Sequence, residues 1–304
     1  MKENMYENFD KLENRILDSI SKSDLIEIRN ILKEIKDPTL VSGVGGAHVV
    51  SNYLSKLLSK KNNIICTNIQ PRDVNYMNID NYKNIISCSY GGRNYGVQTS
   101  FNNNLNKYIL SRNKKDGITN INYIVDDIED SFIALSATLI PMTILLLYYT
   151  DNDINLIKDI LSKTIDFNFN DKLIYEVLTG YETSTASTFI ASTFTESGIG
   201  IPIIHDKYDY CHGRSTLNYN FNNNIIFFNT SSELDNLYEK ELPNYYDNII
   251  KIDKKYDDEI INDYYFTYIS MLLCKQLAKK QNKDLSRVNY SPLVKKLYYY
   301  KGGM

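Results

Sequence analysis

The chain contains no tryptophan, only three histidines (His48, His205 and His212) and only four cysteines among its 304 residues. Cys66, Cys88, Cys211 and Cys274 form no CxxC pair and share no ligand spacing with the histidines, so neither a zinc site nor a disulfide framework is expected. Sparse, scattered thiols suit a reducing, cytoplasmic setting. Long apolar runs are also missing: the longest, Thr138 to Tyr149, falls short of the roughly 20 residues a bilayer-spanning helix needs. The opening MKENMYENFDKLENRI is charged and amphipathic, with no basic stretch leading into an apolar one, which argues against a secretory signal. Nor is there an excess of positive charge. Thirty-four basic residues against 37 acidic ones leave a formal net charge of -3, so the general electrostatic footprint of a nucleic-acid binder is absent. Neither nucleic acid nor a membrane is therefore expected as a partner.

A hydrophobic content of 43% with 23% charged residues is ordinary for a globular chain with a real core. The abundance of Asn, Ile, Lys and Tyr reads as coding bias rather than chemistry, and the runs Asn102 to Asn104 and Asn222 to Asn224 read as loops. Apolar residues Phe9, Leu12, Ile16 and Ile20, then Leu25, Ile28 and Leu32, fall at helical spacing and predict a helix or helix pair ending before Pro38. Four short β-branched segments follow at helix-length intervals: Leu40 to Ser42, Ile64 to Thr67, Ile85 to Cys88 and Ile121 to Val125. This is the pattern of parallel strands with crossover helices, and the apolar segment Phe132 to Tyr149 closes it as a helix.

The polar stretch Thr150 to Asp153 suggests a boundary, giving residues 1–152 and 153–304 as two domains. The second repeats the order: helix Ile154 to Ile165, strand Leu173 to Leu178, helix Thr183 to Glu196, strand Ile201 to Ile204, a helix from His212, then strands Ile225 to Asn229 and Ile249 to Ile252. A long helix, Ile260 to Lys280, ends in lysines that complement its dipole. The fold class expected is α/β, with two αβα sandwich halves in tandem, each on a flavodoxin-like parallel sheet.

One stretch points to chemistry. In Glu196 to Arg214 (ESGIGIPIIHDKYDYCHGR) an acidic residue closes a helix, and a His-Gly-Arg triplet follows sixteen positions later past a short apolar strand. A carboxylate at the end of an apolar helix can act as a base near neutrality if burial raises its pKa, and histidine titrates there by nature. Taken alone, Glu196 is a solvated helix-terminal acid and His212 a structural residue at a turn.

The order of parts resembles the sugar isomerase (SIS) domain family, in the tandem form of the isomerase module of glutamine-fructose-6-phosphate transaminase and of fructosamine deglycase-like proteins. Val41 to His48 (VSGVGGAH) is similar to the family's glycine turn after the first strand, Ile85 to Asn94 (IISCSYGGRN) to its strand and phosphate loop, and Asp284 to Lys296 (DLSRVNYSPLVKK) to its C-terminal tail. The resemblance implies an isomerase or deglycase acting on a phosphosugar or amino-sugar phosphate through an enediol. Glu196 would move the proton, His212 would act on the ring oxygen and hydroxyl, and Lys295, with Lys296 as its neighbour, would stand near the substrate carbonyl. Gly45, Gly46, Ser89, Gly91, Gly92, Arg93 and Asn94 would hold the substrate and its phosphate. It further implies a homodimer whose site is shared, His212 coming from the neighbouring subunit, and no metal or organic cofactor.

The chain also departs from the pattern. Ala47 and Gly91 replace serines and Asn94 replaces a threonine, so hydroxyl donors are lost; backbone N–H groups at Gly91 and Gly92 and the Arg93 guanidinium remain to receive an anion. Thr193 replaces a lysine one helical turn before the acid. These losses favour the alternative, a non-catalytic protein that senses a sugar derivative.

Overall fold

The structure is a computed structural model and describes residues 3–168, 170, 172–289 and 291–293. Two compact units result, Met1–Ile157 with Asn289–Met304 and Lys158–Val288.

The first unit begins with three helices, α1 (Met5–Asp10), α2 (Leu12–Lys22) and α3 (Leu25–Glu34), where the periodicity suggests one or two. Asn4 and Glu7 form a reciprocal capping box that starts α1, and the Asp24 carboxylate caps α3. Then come β1 (Thr39–Ser42), α4 (Gly46–Asn62), β2 (Cys66–Ile69), β3 (Asn84–Cys88), α5 (Tyr95–Ser100), β4 (Asn106–Ser111), β5 (Thr119–Asn122) and α6 (Ser136–Tyr149). The five strands are all parallel in the order β2-β1-β3-β4-β5. The sequence pattern had four; β4 lies straight after the Asn102 to Asn104 run. One face packs Leu40, Ile85 and Ile109 against Val97 and Phe101 of the α5 region. Helix α6 is buried on nearly every side despite Pro141 in its interior, consistent with its uniformly apolar sequence.

Helix α7 (Ile154–Leu161) spans the division between the units. The second unit holds β6 (Ile174–Thr179), α8 (Ser184–Ser197), β7 (Ile201–Asp206), the one-turn α9 (Lys207–Asp209), α10 (Thr216–Phe221), β8 (Asn224–Asn229), α11 (Glu233–Glu241), β9 (Ile249–Asp253) and α12 (Glu259–Lys280). Its four strands are parallel in the order β7-β6-β8-β9. On one face α8 and α12 cover the sheet, with Tyr175 edge-on to Phe194 and Phe228 edge-on to Phe266. On the other, Leu178, Ile225 and Phe227 pack against Tyr210, Tyr238 and Leu242. Each buried Phe adds about 1.5–3 kcal/mol of burial energy.

Two expectations are corrected here. No helix begins at His212: it stands in a tight turn whose Gly213 has φ 106°, a left-handed conformation no regular helix contains, and the helix starts at Thr216. The Asn222 to Asn224 run is not all loop, because Asn222 caps α10 with φ 50° and Asn224 already pairs in β8.

In each unit the strand order reverses beside the first strand, between β1 and β3 and between β6 and β8. Ligands of open α/β sheets gather outside the strand C-termini at such points. Among the described residues no helix is long and apolar enough to cross a membrane, and no group of three or more His, Cys, Asp or Glu could hold a metal.

Candidate active site

In the first unit the glycine turn leads from β1 into α4. A Cβ at Gly43 would lie 2.1 Å from the Ala47 carbonyl oxygen, Gly45 takes φ 58°, and a Cβ at Gly46 would come within 3.0 Å of the Thr138 hydroxyl. Gly45 and Gly46 thus have packing reasons of their own. His48 lies one turn into α4, where burial lowers its pKa against a raising hydrogen bond with the Gly43 backbone.

The loop after β3 is stitched internally. The buried Ser89 hydroxyl accepts from Gly92 N–H at 3.1 Å and from the Asn94 carboxamide at 3.4 Å, while Asn94 caps α5 by accepting from Val97 N–H at 3.0 Å. Asn113 donates to Gly91 carbonyl and Ser111 to Tyr90 carbonyl, tying the loop to the end of β4. Arg93 is exposed, and among the described residues it has no ion pair. The sequence reading missed Arg112. Its guanidinium lies 5.0 Å from the Tyr90 ring centre, and its buried Nε has no acceptor. Recognising β4 would have placed this arginine at a strand C-terminus, beside the loop.

In the second unit α8 carries Glu196 in its last turn, closed by Gly198 at φ 66°. The Glu196 side chain reaches solvent, yet the protein around it raises its pKa by desolvation, against a 2.5 Å hydrogen bond from Ser192. A base that works near neutrality needs a shift in this direction. Thr193, in the lysine's place, is buried.

Beyond β7, the exposed His212 sits at the tip of the turn Tyr210–Arg214. The chain passes from Glu196 through β7 to the His212 turn, so the two residues flank one strand. The hydrogen bond of Glu196 goes to Ser192, and among the described residues none joins it to His212. Lys295 lies outside the described residues.

Beneath the His212 turn is a buried polar cluster the sequence did not reveal. Glu176 on β6 is fully buried, its carboxylate 3.4 Å from His205 Nε2 and accepting from Asn223 at 2.8 Å. The His205 ring packs 5.3 Å from that of Tyr210. An acid inside the strand IYEVLT offers no periodic signal that sets it apart.

No family model matches this sequence, and no curated protein does. Solved structures do match in three dimensions. The C-terminal domain of glucosamine-fructose-6-phosphate aminotransferase from Francisella tularensis is 13% identical, with a TM-score of 0.69 over 94% of this chain and 98% of that one. Tagatose-6-phosphate ketose/aldose isomerase from Escherichia coli, also 13% identical, gives 0.71 over 95% and 96%. Glucosamine-6-phosphate deaminase from Thermotoga maritima gives 0.66 at 13% identity over 92% and 98%. Two parallel-sheet α/β units in tandem, expected from the order of segments, are the fold these proteins share with this chain: the tandem-SIS fold.

Proposed function

We propose that this tandem-SIS chain is an isomerase or deglycase of a phosphosugar or amino-sugar phosphate. The observation that carries the reading is the placement of Glu196 in the last turn of α8, directly before β7 and the His212 turn, in a fold shared with phosphosugar isomerases; desolvation there raises its pKa. A carboxylate takes a proton from carbon more effectively when its own proton affinity is raised towards the working pH. In the proposed reaction Glu196 removes the proton from the carbon beside the substrate carbonyl, leaving an enediol or enediolamine, and returns it to the adjacent carbon. His212 transfers the proton between ring oxygen and hydroxyl that opens the sugar. Gly45, Gly46, the Ser89 to Asn94 loop and Arg93 receive the anionic end, and Lys295 attends the carbonyl. The reading includes a homodimer in which a second copy supplies the histidine, as the family resemblance implies.

The proteins of like fold include enzymes whose names specify sugar 6-phosphates, which supports this substrate class. A second reading, a sugar-derivative sensor without catalysis, is favoured by one observation: Thr193, buried in α8, stands where the family pattern has a lysine beside the acid.

The test is proton NMR in heavy water with hexose, hexosamine and fructosamine 6-phosphates, beside Glu196→Gln. Deuterium entering carbon 1 or 2, or loss of the amine, that disappears in the variant supports the enzyme. Binding without exchange supports the sensor.

A further inference from the structure

The segment between β7 and α10 is fastened at its base and free at its tip. The buried Lys207 ammonium lies 2.7 Å from the buried Asp235 carboxylate, whose other oxygen accepts from Thr230 N–H and hydroxyl at 2.7 and 2.6 Å. One turn along α11, on the same face, Tyr238 donates its hydroxyl hydrogen to the Lys207 carbonyl at 2.6 Å. A phenol has a single hydrogen, so its oxygen is left to accept from the Cys211 thiol, 2.9 Å away. The Tyr238 ring packs 6.3 Å from Tyr210 and 5.8 Å from Phe227. One hydroxyl thus ties the residues on both flanks of Tyr208 to Tyr210, the last residues before the tip.

Past Cys211 the restraints thin until Ser215, whose N–H donates to the Tyr210 carbonyl at 3.3 Å and whose carbonyl accepts from the Tyr246 hydroxyl at 3.4 Å. His212, Gly213 and Arg214 are exposed, a Cβ at Gly213 would meet nothing within 4 Å, and the Arg214 to Asp209 ion pair at 2.9 Å is exposed on both sides. Such a surface pair contributes little. The direction in which His212 projects is therefore set by the anchored residues that flank it, Tyr210 and Cys211 on one side and Ser215 on the other.

We infer that Tyr238 is a positioning residue for His212, acting through the two hydrogen bonds of its hydroxyl at Lys207 and Cys211; for catalysis, the inference rests on the role proposed above for His212. Removing the hydroxyl leaves the ring contacts in place but frees the base of the turn. Small displacements of an acid-base group lower turnover steeply while substrate contacts made elsewhere persist.

The experiment uses the full chain with labelled histidines, the three resonances being assigned through His212→Gln and His205→Gln. Tyr238→Phe removes the hydroxyl and keeps the ring. Cys211→Ala removes one bond at an exposed residue and serves if the first variant fails to fold. The expected result is that the His212 resonance moves and broadens in both variants while that of His48 stays in place. Deuterium exchange into fructose 6-phosphate should lose about tenfold in kcat in Tyr238→Phe, with KM within about twofold. An unchanged His212 resonance and unchanged kcat in both variants would overturn the inference. If the resonance moves but the wild-type chain exchanges no deuterium with any phosphosugar, the positioning role stands and the isomerase reading falls.

Discussion

Glu196 and His212 flank strand β7, the first in the last turn of α8 and the second in the turn Tyr210–Arg214 that follows the strand. The function proposed above takes the two from different chains. If a dimer shares the site, chains carrying Glu196→Gln mixed with chains carrying His212→Gln should regain activity, since one of the two sites in each mixed dimer is intact. With random reassociation this amounts to about a quarter of wild-type activity. Mixtures that subunit exchange has equilibrated yet stay inactive would show that the two residues do not cooperate across chains.

Glu196 also makes a statement about stability. Its pKa is raised in the folded chain, so between the ordinary glutamate value and the raised one the native state holds a proton that the unfolded state has released. Stability therefore falls as pH rises across that window. Glu196→Gln, which cannot ionise, should melt at or above the wild-type temperature at neutral pH, the difference closing below about pH 4. A variant that melts clearly lower at pH 7 would mean that the carboxylate is held by favourable partners instead of being destabilised by its surroundings.

The exposed Arg93 is the charged side chain of the Ser89 to Asn94 loop, and its guanidinium can meet an anion with two parallel N–H donors. Arg93→Gln should weaken hexose 6-phosphate binding about tenfold by calorimetry and leave unphosphorylated hexose unaffected, since a guanidinium acts on the anion rather than on hydroxyls. Equal losses for both sugars would place the phosphate elsewhere.

What the sequence made legible is what local patterns encode. Phe9 to Leu32 announced the opening helices, the β-branched clusters announced β1, β3 and β8, and Glu196 to His212 announced an acid and a histidine on either side of a strand. Strand β4 was hidden because NKYILS starts with polar residues directly after an asparagine run. Helix α11 was missed because Glu233 to Glu241 presents mostly charge to solvent and little apolar period, although its buried Asp235 and Tyr238 hold the His212 turn. Glu176 and His205 meet only because β6 and β7 pair in register, with Glu176 opposite Ile203 and Leu178 opposite His205. Register is a tertiary property that a single strand sequence does not contain.

The Lys207 to Asp235 pair gives the sharpest stability test, because both side chains are buried, at 4% and 0% exposure, and the ammonium lies 5.6 Å from the Phe227 ring centre. Lys207→Met strands the Asp235 charge without its counter-ion and should cost about 3 kcal/mol, far more than the loss of an exposed pair. Asp235→Asn removes the charge but keeps an oxygen for Thr230, so in the double variant no bare charge remains buried. The double variant should then be destabilised by less than the sum of the two single ones, with a coupling of about 1–3 kcal/mol. Additive losses in chemical denaturation would mean that water reaches the stranded carboxylate, and that the base of the His212 turn opens more readily than its burial implies.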